Sequence, residues 1–300
     1  MWTRMQTLML REWMQHGRGW IILMTILPAI FLVALPFGSV DLPEAMTSKV
    51  PLALVALCVW VTMLTVATVS WLASAFQLPG LARRDQQDRS IEFWLSLPAS
   101  HSESIAALLL MHAVLVPMVA LVVGAAIGLV LVLPAMMLKV GGLAALMSVP
   151  WAQVLLLTAV LLLRLLPGVL LAVLWAAPLM LALMAASAWL KRWGVPAVLG
   201  VTLIGGGLLR KVYGITWPTD LLAHYVQQAK LALVAQPQAL QQMAPGQDKL
   251  QALLQSGDLV AWVMSDLGVA LQALLSWQFA LGLAVSAAMF GLLVLRRRLN

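Results

Sequence analysis

The chain has 300 residues, 63% of them apolar and 10% charged, with 18 Lys and Arg against 11 Asp and Glu. A water-soluble domain runs at about 45–50% apolar and about 25% charged, so a soluble globule is excluded and most of the apolar surface is expected to face lipid. The net charge of +7 is gathered in short clusters between apolar runs, which is how cytoplasmic loops are built and not a nucleic-acid groove.

Residues Met1–His16 set Trp2, Met5, Met9 and Trp13 at spacings of three and four, with Arg4, Arg11, Glu12 and Gln15 elsewhere around the wheel. This predicts an amphipathic helix on the cytoplasmic membrane surface, residues 1–19, before the chain turns in at Gly17-Arg18-Gly19. A frayed basic N-terminus is the plainer alternative. The stretch Trp20–Gly38 has no small-residue cleavage site, so it is expected to be a retained first span rather than a signal peptide.

Six charge-free apolar runs predict membrane helices, because in hydrocarbon each backbone N–H and C=O must be bonded within its own segment. They are Trp20–Gly38, Pro51–Leu78 (ended by Pro79-Gly80), Ile105–Leu133, about Leu165–Leu190, about Val195–Leu209 and about Leu274–Leu295. With the N-terminus inside, the inner segments hold 11 of the 18 Lys and Arg, and the other seven are diluted over longer outer loops. Both termini are therefore expected to be cytoplasmic. Val149–Leu163 is expected to lie at the outer interface and feed span four, with Arg164 snorkelling to the headgroups; a functional intramembrane charge is the alternative. Trp20, Trp151, Trp189, Trp193, Trp217 and Trp277 fall near span ends, as an aromatic belt would. Thr62, Thr65, Thr68, Ser70 and Ser74 on span two suit either a polar path or helix packing.

Between spans two and three, Leu81–Glu103 carries charges of both signs and then Ile91, Phe93, Trp94, Leu95 and Leu97 before Pro98. Two adjacent aromatics in a connecting loop fit a short helix docking into another protein's groove, or one lying flat on the bilayer. The polar segment Arg210–Leu271 predicts a helix from Pro218-Thr219-Asp220 to about Ala235 and a second piece from Asp248 to Ser256, too lean in apolar residues to fold alone.

All eleven acids fall in the loops so drawn, which speaks against a proton- or sodium-coupled carrier. There is no H-E-x-x-H, no G-x-S-x-G and no P-loop, so neither intramembrane catalysis nor ATP binding is expected of this chain. The single cysteine, Cys58, rules out an internal disulfide or a cysteine-built metal site, and with His16, His101, His112 and His224 scattered no metal site is expected.

The run Asp85-Gln-Gln-Asp88-Arg89-Ser90-Ile91-Glu92-Phe93-Trp94-Leu95-Ser96-Leu97-Pro98 resembles the loop between spans two and three in type-2 permease subunits of ATP-binding-cassette (ABC) exporters. Arg11-Glu12-Trp13 through His16-Gly17-Arg18-Gly19-Trp20 is similar to the family's basic first helix, and Arg296–Arg298 to its usual ending. A position near Ala107 lacks the Lys the family often has, and Arg84-Asp85 stands where an acidic-Arg pair is common.

The resemblance implies an all-α polytopic membrane protein in the bacterial inner membrane, a permease that dimerises and binds two copies of a separate cytoplasmic ATPase subunit. ATP and magnesium would sit on that partner, and this chain would bind no cofactor and perform no catalysis. Asp85, Asp88, Arg89, Ser90, Glu92, Phe93, Trp94, Leu97 and Pro98 would form the coupling helix. The family's permeases meet along spans two and five, which would place Thr62, Thr65, Thr68, Gly205 and Gly206 at the seam and the pathway. The parts are then residues 1–19, spans one and two over 20–78, the coupling loop 79–104, spans three to five over 105–209, the outer segment 210–271, and the last span with its basic tail over 272–300. An ATPase-independent transporter or channel, and a membrane scaffold that moves nothing, are the other classes; an adjoining, co-purifying ATPase speaks against the first, and ATPase activity that responds to cargo against the second.

Overall fold

The computed structural model describes residues 2–39, 52–87, 100–236, 238 and 258–299. The elements are α1 (Trp2–Ala34), α2 (Leu52–Gln87), α3 (His101–Met147), α4 (Trp151–Leu190), α5 (194–213), α6 (Trp217–Leu233), α7 (Asp258–Gln272) and α8 (Trp277–Arg298). No strand occurs among the described residues. Among the described residues, six stretches are long and apolar enough to cross a membrane: Arg4–Phe37, Leu52–Ala82, His101–Met147, Trp151–Tyr213, Asp258–Leu275 and Trp277–Arg298. This is the fold of an all-helical integral membrane protein.

The helices run past two breaks expected from sequence, at Gly17–Gly19 and at Pro79, and past two further prolines. The chain does not turn at Gly17–Gly19, and α1 continues unbroken through its 33 residues. Pro79 sits inside α2, and Pro167 and Pro178 inside α4. Helices in lipid tolerate proline because neighbouring helices and small local adjustments take up the freed carbonyl. Other boundaries are chemically explicit. Ser100 and Glu103 form a capping box at the start of α3: the Glu103 N–H donates to Ser100 Oγ (3.2 Å) and the Ser100 N–H to Glu103 Oε2 (2.8 Å). Near its far end α3 bends at Gly142, whose φ of +64° is open to glycine at little cost.

The Trp151–Tyr213 stretch is two legs. Lys191 takes a φ of +53° and reverses the chain, so that Gly194 lies directly on the backbone of Ala186, where a Cβ would stand 2.4 Å from the carbonyl carbon. By contrast α7 and α8 form one course along α4. Leu259, Trp262 and Val263 pack with Val154, Leu157 and Val160, Ala270 with Leu171 and Ala172, and Leu293 with Ala188. The break between them is the extended Ser276, whose hydroxyl caps α8.

Both chain ends lie at one end of the bundle, beside the start of α3. Arg297 donates to Ser104 Oγ (3.0 Å), Arg296 to the Ala188 carbonyl (3.4 Å), and Glu12 of α1 reaches His112 of α3. At the distal end, Leu52, Val55 and Val59 of α2, Leu133 and Met137 of α3, the first turns of α4 and the start of α7 share one apolar core. With 40 residues α4 is about 60 Å long, twice the hydrocarbon thickness of about 30 Å. The distal lobe is therefore a continuation of the spans, with α6 and α7 laid against α4. Between α2 and α3 the contact is close: a Cβ on Gly124 would stand 2.8 Å from Met63 Cα, and one on Gly128 3.1 Å from Val59 Cα.

Candidate functional site

Four helices enclose a groove of about 460 Å³. Its floor is Trp175, Pro178, Leu179 and Leu183 of α4; Trp71, Leu72, Ala75 and Pro79 of α2 form one wall, and Val198 and Thr202 of α5 with Leu222, Tyr225 and Val226 of α6 the other. The groove exists because α5 is pinned near its ends, by Gly194 on Ala186 and by Gly206 against Thr219 of α6. Between those points Val201, Leu203 and Ile204 remain exposed. The floor is held firmly. Tyr225 donates to the Gln278 carbonyl (2.8 Å), and Trp175 packs edge-on to Phe279 at 5.1 Å and against Tyr225 at 5.9 Å. The lining is apolar apart from Thr202, Tyr225 and Lys230, and the ammonium of Lys230 stands exposed at the rim. Such a surface solvates hydrocarbon and offers one cation to a polar end group.

The residues expected at a seam fall on two kinds of surface. Thr65 and Thr68 are exposed on the same face of α2 as Leu57, Val61, Leu64, Leu72 and Phe76. Thr62 is half-buried and bonds back to the Cys58 carbonyl (2.9 Å). Gly205 is half-buried, whereas Gly206 is buried against Thr219, so its lack of a side chain serves the α5–α6 contact within one chain. Of the coupling residues, Asp85 lies in the last turn of α2. Asp88, Arg89, Ser90, Glu92, Phe93, Trp94, Leu97 and Pro98 lie outside the described residues. That segment joins Gln87 to the capped start of α3, at the end of the bundle that carries both termini.

Two sets of buried charges were not legible from the sequence. Arg164 does not reach out to headgroups: its side chain is 0% exposed and paired with an equally buried Asp266, Nε to Oδ2 at 2.5 Å. Its Nη1 donates to the Ala232 carbonyl (3.0 Å), and Asp266 accepts from the N–H groups of Ala235 (3.0 Å) and Gln236 (2.5 Å). The pair ties the end of α6 and the middle of α7 to α4. Lying 26 residues from Leu190, Arg164 is about 39 Å from that end of α4, beyond one hydrocarbon thickness.

The second set joins α1 to α3. Glu12, 1% exposed, pairs through Oε1 with Arg11, while its Oε2 lies 3.4 Å from Nε2 of the fully buried His112 and 3.7 Å from Nδ1 of His16. His16 Nδ1 also lies 3.3 Å from the Glu12 carbonyl. Neither Glu12 nor Asp266 is a loop residue. Each is held among helices because an arginine and further polar atoms compensate its charge, and burial without them would cost several kcal/mol. The sequence signals were faint: an acid inside the apolar run from Leu259 to Leu275, and Glu12 one helical turn before His16.

Comparison with protein families, with curated proteins and with solved structures finds no match to this chain.

Proposed function

We propose that this chain is the membrane permease of an ABC exporter, forming the translocation pathway as a dimer driven by two separate cytoplasmic ATPase subunits. The observation that carries the reading is the open apolar groove between α2 and α5. One chain leaves it unroofed, and its walls are the two helices along which family permeases meet. A second copy facing it would complete an enclosed path, and cargo with an apolar body fits its lining. The exposed Thr65 and Thr68 face of α2 is the surface available to that copy. In this reading ATP and magnesium sit on the partner, which would engage the Asp85–Pro98 segment beside the chain ends. In this arrangement the first turns of α1, with Trp13 and Met14 exposed, rest at the cytoplasmic surface, and both termini are cytoplasmic in a bacterial inner membrane.

The test is cross-linking in native membranes with the neighbouring ATPase co-expressed. In a Cys58→Ser background, Thr65→Cys should give a disulfide-linked dimer, and the ATPase should co-purify. Cross-linking from α3 or α8 positions with none from Thr65 would place the seam elsewhere, and loss of the ATPase from every preparation would remove the family reading. The ATPase-independent carrier has one observation on its side, the buried Glu12–His112 contact. It predicts uptake driven by a pH gradient alone in liposomes that contain this chain and no ATPase.

A further inference from the structure

Glu12 and His16 stand four residues apart on one face of α1, and α3 brings His112 to the same point. We infer that Glu12 Oε2, His16 Nδ1 and His112 Nε2 form a binding site for a divalent transition metal of the zinc class, linking α1 to α3. One ligand atom from each of the three residues lies within 4.8 Å of the other two. A tetrahedral ion with bonds of about 2.0–2.1 Å needs ligand atoms about 3.3 Å apart, and Glu12 Oε2 is already 3.4 Å from one imidazole nitrogen and 3.7 Å from the other. Small side-chain movements close the remaining distance.

The surroundings favour a metal over a mere ion pair. His112 is 0% exposed, and its Nε2 is turned toward the Glu12 carboxylate at 3.4 Å. The rings of His16 and His112 meet edge to face at 5.0 Å, and Trp20 packs on both, at 5.7 and 5.1 Å. Arg11 holds the other oxygen of Glu12, which fixes the carboxylate's orientation as a supporting partner does in metal sites. Two imidazoles and one carboxylate suit zinc, cobalt and related ions and not calcium or magnesium, which take oxygen ligands. His16, with 24% of its side chain exposed, offers the way in. Three protein ligands leave a fourth position for water or another donor. Coordination at His16 Nδ1 replaces its contact with the Glu12 carbonyl and requires the tautomer that carries the ring proton on Nε2. The metal would clamp α1 to α3 about 18 Å from the capped start of α3, where the Asp85–Pro98 segment ends.

The test uses the full chain in detergent, purified without a histidine tag and stripped with a chelator, then titrated with Co²⁺. Expected are one Co²⁺ per chain with the visible absorption of four-coordinate cobalt, displacement by Zn²⁺, and a rise in melting temperature with Zn²⁺. Glu12→Gln and His112→Gln should each weaken binding about tenfold or more and abolish the thermal shift. Should those buried changes prevent folding, His16→Asn, on the partly exposed ligand, is expected to give the same loss. Wild-type spectrum and stoichiometry in His16→Asn, or no cobalt absorption in the wild-type chain, would overturn the assignment.

Discussion

Arg164 and Asp266, 102 residues apart in the chain, meet at 2.5 Å with neither side chain exposed to solvent. Removing one partner leaves the other charge buried without compensation, which costs about 3–5 kcal/mol. Arg164→Ala and Asp266→Ala should each destabilise the detergent-solubilised protein by that order, measured by thermal or denaturant unfolding. The double substitution Arg164→Met with Asp266→Leu should cost less than the two single losses together, because no lone charge remains. The N–H groups of Ala235 and Gln236, left without their acceptor, keep it from full recovery.

At Gly124 a methyl group would meet the backbone of Met63 at 2.8 Å. Backbone cannot step aside as a side-chain tip can, so Gly124→Ala should push α2 and α3 apart and cost about 1–3 kcal/mol. Gly268 in α7 has nothing within 4 Å of its Cβ position. There the same change should stabilise by about 0.5–1 kcal/mol, through helix propensity alone. Unfolding midpoints of the two variants should therefore move in opposite directions.

The groove gives a third expectation. Ala75 lines its α2 wall, and Ala75→Trp fills much of the space without touching the Arg164–Asp266 contact. Expression and melting temperature should stay near wild type, while, on the proposed permease reading, cargo-stimulated ATPase activity of the reconstituted complex should be lost. Full stimulation in that variant would show that cargo takes another route.

On the proposed permease reading, Phe93→Ala combined with Trp94→Ala should release the ATPase or uncouple it, since burying each aromatic contributes roughly 1.5–3 kcal/mol. Co-purification and basal ATPase stimulation are the readouts. Retention of both at wild-type levels would mean that the partner docks elsewhere.

The helical class and the membrane character could be read from the sequence because hydrocarbon allows a lone segment few other ways to bond its backbone. The places where helices stop were harder to read. Pro79 looked like an end and is interior, since bundle packing outweighs the local cost of a missing N–H. The Lys191 reversal lies where basic residues and Trp193 already marked a boundary. Least visible were the polar contacts. His112 and Glu12 are 100 residues apart, and no local pattern shows that two such residues share a buried site, so the histidines looked scattered until the helices were assembled.

The length of α4 has a mechanical consequence. A helix of about 60 Å with half of its length beyond the hydrocarbon is a lever, and the Arg164–Asp266 contact sits near the point where it leaves the bilayer. A tilt of about 10° in the span would swing the distal tip by about 5 Å, given about 1.5 Å of rise per residue over the last twenty. Because α7 is fastened to α4 on both sides of that fulcrum, the two helices would swing as one arm, and movement begun at the end of the bundle that carries the chain termini would be carried to the opposite face rather than absorbed.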